Sequence, residues 1–240
     1  MKETLYAIPV NEAFEQDSEC PLCQLRLKYE AEQLTGLLRS AYMEPDCRIR
    51  SNEMGFCARH LGQMYARSNR LGMALMLQTH LARVQEEIDK ILDGAPAPRR
   101  ILFPCRHPQG GSKDLRTLYD RCMLCEQIER TEARYIETIQ HLFAHDPAFA
   151  EKISACKGFC LPHFTALWET SGDSRFRDCL AQVQKAALSR IEQDLDGFTQ
   201  RFDYRNAHLP WGNSRDAVER TANKLRGACC GEAQTIYVEE

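Results

Sequence analysis

Cys20-Pro21-Leu22-Cys23 and Gly55-Phe56-Cys57-Ala58-Arg59-His60 return later in the chain as Cys122-Met123-Leu124-Cys125 and Gly158-Phe159-Cys160-Leu161-Pro162-His163. The shift is 102 residues for the cysteine pairs and 103 for the last cysteine and the histidine. Three thiolates and an imidazole fill a tetrahedral shell around zinc, so the repeated constellation predicts two Cys3His sites, each with one zinc ion. Two cysteines with two residues between them can turn both sulfurs toward one ion, and a helix starting after them favours thiolate through its dipole. In Cys57-x-x-His60 and Cys160-x-x-His163 the ligands stand three apart, so sulfur and imidazole face one way on a helical turn. The preceding Gly-Phe pairs supply a flexible backbone point and an apolar shield.

A lone Cys-x-x-Cys would be weak evidence of metal. Two pairs, each followed after 33 or 34 residues by the cysteine of a Gly-Phe-Cys-x-x-His, are strong, because packing alone does not repeat ligand spacing. The competing readings are buried cysteines with satisfied core histidines, a thioredoxin-like dithiol at Cys20 and Cys23, and an iron–sulfur cluster. The dithiol lacks a βαβ setting, and the second copy has Met123 where the first has Pro21. Pairing of the half-sites has two solutions. Within each copy, Cys20 and Cys23 would meet Cys57 and His60, with Cys122 and Cys125 meeting Cys160 and His163. Swapped, Cys20 and Cys23 would meet Cys160 and His163, leaving Cys122 and Cys125 for Cys57 and His60. Pairing within each copy is the expectation, since duplicating a working unit needs no other change.

The other thiols fit no repeat. Cys47, Cys156 and Cys179 read as packed or incidental, although Cys156 lies one helical turn before Cys160 and could compete as a ligand. Cys105 and His107 could form an extra ligand pair in a proline-rich stretch. Cys229-Cys230, between Gly227 and Gly231, could serve as redox thiols, accept sulfur or capture soft metal ions. His80, His141, His145 and His208 lack metal-type neighbours. Neither paired carboxylates, a phosphate loop nor a Ser-His-Asp order marks a catalytic site.

The elements that must position these ligands are helices. Leu27, Ala31, Leu34, Leu38 and Ala41 form one apolar stripe that stops near Pro45. A second stripe runs through Leu77, Leu81, Val84, Ile88 and Leu92 to Gly94. Ile128, Tyr135, Ile139 and Leu142 give the first stripe of the second copy, and Leu180 through Phe202 the other, with Gly197 as a possible bend. To return the chain to the site, either the segments Asp46 to Gly55 and Pro147 to Gly158 are partly extended or the first helix of each copy is short. Ser214 suits the N-cap of a short helix from about Arg215 to Arg226, ended by Gly227.

Strand-type alternation is scarce, so the expected fold is all-α: a pseudo-symmetric helical bundle of two duplicated helix-hairpin units. The first metal-binding repeat spans 1–94, a Pro/Gly-rich connector 95–121, the second repeat 122–206, and a C-terminal helix with the Cys-Cys tail 207–240.

At 240 residues the chain can bury a core without staples, and 43% hydrophobic with 27% charged residues belongs to a globular protein. A net charge of -3 without a long basic run argues against nucleic-acid binding. No secretory leader or bilayer-length apolar segment is legible, which points to the cytoplasm and makes the twelve cysteines free thiols and metal ligands rather than disulfides.

The two motif pairs, Asp203-Tyr204-Arg205 and the tail Gly227-Ala228-Cys229-Cys230-Gly231 together resemble an uncharacterised family of bacterial proteins of unknown function, over nearly the whole chain. The resemblance implies the metal-ligand set and a bacterial cytoplasmic setting, and carries no activity. The expected function is a zinc-binding helical protein with two structural sites, acting as an interaction or scaffold module for an unknown protein partner. Four protein ligands leave no position open for hydrolytic water, which leans against an enzyme. The alternatives are a thiol redox, sulfur-transfer or metal-handling protein using Cys229 and Cys230, and an iron–sulfur protein.

Overall fold

The computed structural model describes residues 3–93, 115–206 and 210–228. The connector around Cys105 and His107, His208, and the Cys229-Cys230 pair lie outside the described residues.

Ten α-helices, and no strand, occur among the described residues: α1 Glu3–Glu15, α2 Pro21–Arg39, α3 Pro45–Met54, α4 Ala58–Ala66, α5 Arg70–Asp93, α6 Met123–His145, α7 Pro147–Ala155, α8 Leu161–Thr170, α9 Ser174–Gln200 and α10 Ala217–Arg226. The order α2 to α5 recurs as α6 to α9, so each copy is four helices, not two with an extended return. The returns are the short helices α3 and α7. Pro45 and Pro147 open them at the first helical position, where a missing N–H costs nothing. Helix α2 ends at Arg39, ahead of Pro45, and the proline starts an element instead of ending one.

The described residues divide into two compact units: 3–29 with 130–206 and 210–228, and 30–93 with 115–129. These units do not coincide with the sequence repeats, and the boundaries fall inside α2 and α6.

The first unit has an aromatic core. Phe14 packs edge-on against Phe149 and Phe159, with centroids 5.0 and 6.1 Å apart, and Phe143 against Phe176 at 4.9 Å. Leu22, Ile139, Ile153, Leu167 and Leu180 complete it. Gly197 makes no bend and sits inside an unbroken α9, where a Cβ would collide with Ser214 Oγ. Ser214 itself lies in a 3-10 turn, and α10 begins at Ala217 behind Asp216.

The second unit buries Leu34, Leu37, Leu38, Met54, Met64, Met73 and Met76, a core built largely from flexible thioethers. None of the stripe expected on α5 is buried: Leu77, Val84 and Ile88 are half-buried and Leu81 and Leu92 more than half exposed, and the helix buries Gly72, Met73 and Met76 instead.

Candidate metal centres

The local sequence puts every ligand at a helix start. Cys57 and Cys160 are the N-cap residues of α4 and α8, with φ/ψ of -73/163° and -68/156°, and His60 and His163 follow in the first turns. Cys20 and Cys122 directly precede α2 and α6, and their carbonyls accept from Gln24 and Glu126 at the start of each helix. The sulfurs thus lie where the helix dipole is positive. Gly55 and Gly158, at φ of +59° and +87°, turn the chain into Phe-Cys in a conformation other residues rarely adopt.

The structure brings together the eight predicted ligands in two quartets, but with the swapped pairing. Cys20, Cys23, Cys160 and His163 form one, and Cys57, His60, Cys122 and Cys125 the other; within each, the ligand atoms lie within 4.8 Å of one another. The expectation of pairing within each copy is overturned. Its physical reason is the helical return: each Cys-x-x-Cys is carried away from its own Gly-Phe-Cys-x-x-His by α2 or α6 and meets the equivalent element of the other copy.

In the first quartet, Cys160 Sγ lies 3.8 Å from Cys20 Sγ and 3.6 Å from Cys23 Sγ. His163 Nδ1 is 3.3, 3.4 and 3.1 Å from Cys20, Cys23 and Cys160. In the second, His60 Nδ1 is 3.3, 3.3 and 3.4 Å from Cys57, Cys122 and Cys125, and Cys57 Sγ is 3.7 Å from Cys125 Sγ. A tetrahedron with metal–sulfur bonds of about 2.3 Å and a metal–nitrogen bond of about 2.0 Å has S–S edges of ~3.8 Å and S–N edges of ~3.5 Å. The quartets fit one ion each.

Each histidine uses its second nitrogen on a carboxylate from a helix whose first turn serves the other quartet. His163 Nε2 is 3.1 Å from Glu132 on α6, and His60 Nε2 is 2.9 Å from Glu30 on α2. Such a carboxylate fixes the tautomer that leaves Nδ1 free for metal. Glu30, 1% exposed, is also 3.0 Å from Arg59 Nη2, and Glu132 lies 3.7 Å from Arg26 Nη1. Neither carboxylate was assigned a role from sequence. The available signal was that Glu30-Ala31 recurs as Glu132-Ala133.

The electrostatics of both quartets favour a cation. Burial opposes charge on Cys20, but hydrogen bonds with Cys160, Cys23 and His163 hold its thiol well below the ordinary value. Cys23 is pushed up, chiefly by its contacts with Cys160 and Cys20 and by burial. Burial disfavours imidazolium at His163, yet Cys160, Cys20 and Glu132 raise it to about 12. At His60 burial is likewise outweighed by Cys122 and Glu30, giving about 9. Cys122, despite burial, is lowered by His60 to about 6, while burial and the charge of Cys122 put Cys125 at about 12. Thiolate and positive charge thus favour each other in both quartets, and a dication can supply that positive charge.

The remaining cysteines stay outside. Cys156 ends α7, is pushed up to about 11 by burial, and joins neither quartet. Cys179 lies 3.5 Å from Ser154 Oγ, and burial raises Cys47. His80 Nδ1 donates to the Asn52 carbonyl at 2.9 Å, and the half-buried His141 and the exposed His145 stack on each other. Cys20, Cys23, Cys47, Cys57, Cys122, Cys125, Cys156, Cys160 and Cys179 are all free thiols. No described helix is long and apolar enough to cross a membrane.

No curated protein and no solved structure matches the chain. A family model does match, over residues 1–232, and the chain belongs to that family, DUF6062, a family of unknown function.

Proposed function

We propose that the chain is a zinc protein, with one structural ion in each Cys3His quartet and a helical surface that serves as an interaction or scaffold module in the cytoplasm. The observation that carries this reading is the ligand geometry: S–S and S–N separations of 3.1 to 3.8 Å, with each histidine backed by a carboxylate. A cluster would bind its ligands on separate irons and hold the sulfurs further apart, so one ion per quartet is favoured over iron–sulfur. The scaffold role is supported by an exposed aromatic group. Phe198, Phe202 and Trp211 lie with centroids 5.2 to 6.3 Å apart, and Phe202 and Tyr204 are more than two-thirds exposed. Elemental analysis of anaerobically purified protein should give two zinc per chain and no colour. Iron with visible absorption, or no metal at all, would overturn the reading.

One observation favours a second reading in which Cys229 and Cys230 handle metal or electrons. Gly227 lies by the first quartet: a Cβ there would stand 3.9 Å from Cys23 Sγ and Cys160 Sγ. Two residues further on come the paired thiols. Alkylation of Cys229 and Cys230 while zinc stays bound supports this use; unreactive tail thiols refute it.

A further inference from the structure

The two quartets share donors and spacing but differ in what surrounds them. Around Cys20, Cys23, Cys160 and His163 the packing is closed, and all four ligands are buried. Phe159 is fully buried, and Gln184 brackets its backbone, accepting from the N–H at 3.1 Å and donating to the carbonyl at 3.0 Å. Lys224 on α10 is 1% exposed. Its Nζ donates to the Glu19 and Lys157 carbonyls, on the two loops that deliver Cys20 and Cys160, and pairs with Glu19 Oε2 at 3.0 Å. One ammonium thus ties both loops together, and Gly227, three residues on, covers the sulfurs.

The second quartet is open by comparison. Cys57 and Cys125 are only half-buried, as is Phe56, the counterpart of Phe159. Arg59, which caps Glu30, is itself 49% exposed. Leu81 occupies the place in α5 that Gln184 has in α9 at the 103-residue shift, and it points to solvent. Among the described residues no side-chain amide or ammonium brackets Phe56. The core behind this quartet is methionine-rich, where that behind the first is interlocked phenylalanine.

Resting on the zinc reading above, we propose that the two centres are unequal: the Cys20 quartet is permanent, and the Cys57 quartet is an exchange site for thiophilic divalent cations. Entry is through the partly exposed sulfurs. An incoming thiol loses its proton as its sulfur bonds to the ion; Cys57 or Cys125 takes up that proton as its own bond breaks. The oxidation state of the ion does not change, so no external oxidant or reductant is needed.

The test uses the full chain loaded with two zinc ions and a chromogenic zinc chelator in excess. Release is expected in two phases of equal amplitude, at rates at least tenfold apart. After the fast phase alone, alkylation and peptide mapping should label Cys57, Cys122 and Cys125 and spare Cys20, Cys23 and Cys160. Lys224→Met should speed the slow phase and leave the fast one unchanged. A single rate for both ions, or labelling of the Cys20 quartet first, would overturn the inequality with zinc binding intact. A chain that takes up no zinc would remove the metal reading itself. The footprint on unaltered protein decides the matter even where a variant misfolds.

Discussion

Pairs of ligand substitutions can test the swapped assembly directly. Cys23→Ser with His163→Ala takes two donors from one quartet and leaves Cys57, His60, Cys122 and Cys125 whole. Cys23→Ser with His60→Ala takes one donor from each. If the roughly 10–16 kcal/mol of apparent zinc binding is shared over four donors, each is worth about 2.5–4 kcal/mol, or ~10²- to 10³-fold in affinity. The first variant should then keep one ion at full affinity and lose the other by ~10⁴-fold or more. The second should keep none at full affinity, with both weakened to a similar degree. Chelator competition followed by gel filtration and elemental analysis reads this as one retained zinc against none. The reverse outcome, none for Cys23→Ser with His163→Ala and one for Cys23→Ser with His60→Ala, would refute the swapped pairing and restore assembly within each copy.

Glu30→Gln and Glu132→Gln should each weaken zinc binding by ~10- to 100-fold at the quartet of the histidine they touch, leaving the other unchanged in a site-resolved competition assay. Gly158→Ala should destabilise by at least about 1–3 kcal/mol from its φ of +87° alone, with a further cost from a Cβ placed 2.6 Å from that of Ala187. Gly36→Ala, with open space around it inside α2, should stabilise by about 0.5–1 kcal/mol; thermal melts of the two variants moving in the same direction would contradict the packing described. In metal-free protein the contribution of His60, raised to about 9, is full below its unfolded value near 6.5 and lost as pH rises through 9. That of Cys122, lowered to about 6, is full above its unfolded value near 9 and lost as pH falls through 6. The two slopes oppose each other and nearly cancel, so denaturant midpoints of the apo protein should stay nearly flat between about pH 6.5 and 9, while the zinc-loaded protein should lose stability only on acidification, as protons compete for its ligands.

The ligands were legible in the sequence because metal spacing is a local property: Cys-x-x-Cys and Cys-x-x-His each fit within one turn. Which pair meets which is decided by helix packing over more than sixty residues, and a duplicated sequence offers both answers equally. Helical character was legible too, since Leu27, Leu34 and Leu38 keep their period and are buried. Periodicity failed on α5, where Leu81 and Leu92 keep the spacing and face solvent, because a stripe marks a face without saying that anything covers it. Pro45 was misleading for a chemical reason: proline ends one helix and opens the next equally well. Glu30 and Glu132 looked like ordinary surface acids on helix faces, and only a histidine arriving from elsewhere in the chain gives them a role.

The order of ligands along the chain nests one centre inside the other. Residues 57 to 125 hold every donor of the inner quartet, whereas the outer one waits from Cys20 until His163, and its covering segment ends only at Gly227. At about 5–20 residues per second on the ribosome, Cys20 and Cys23 spend roughly 7–30 s without their partners. Cys20 and Cys23 are thus made well before the centre that holds them can close, and the burial of that centre in the folded chain closes off a pair that has waited open to passing metal or oxidant.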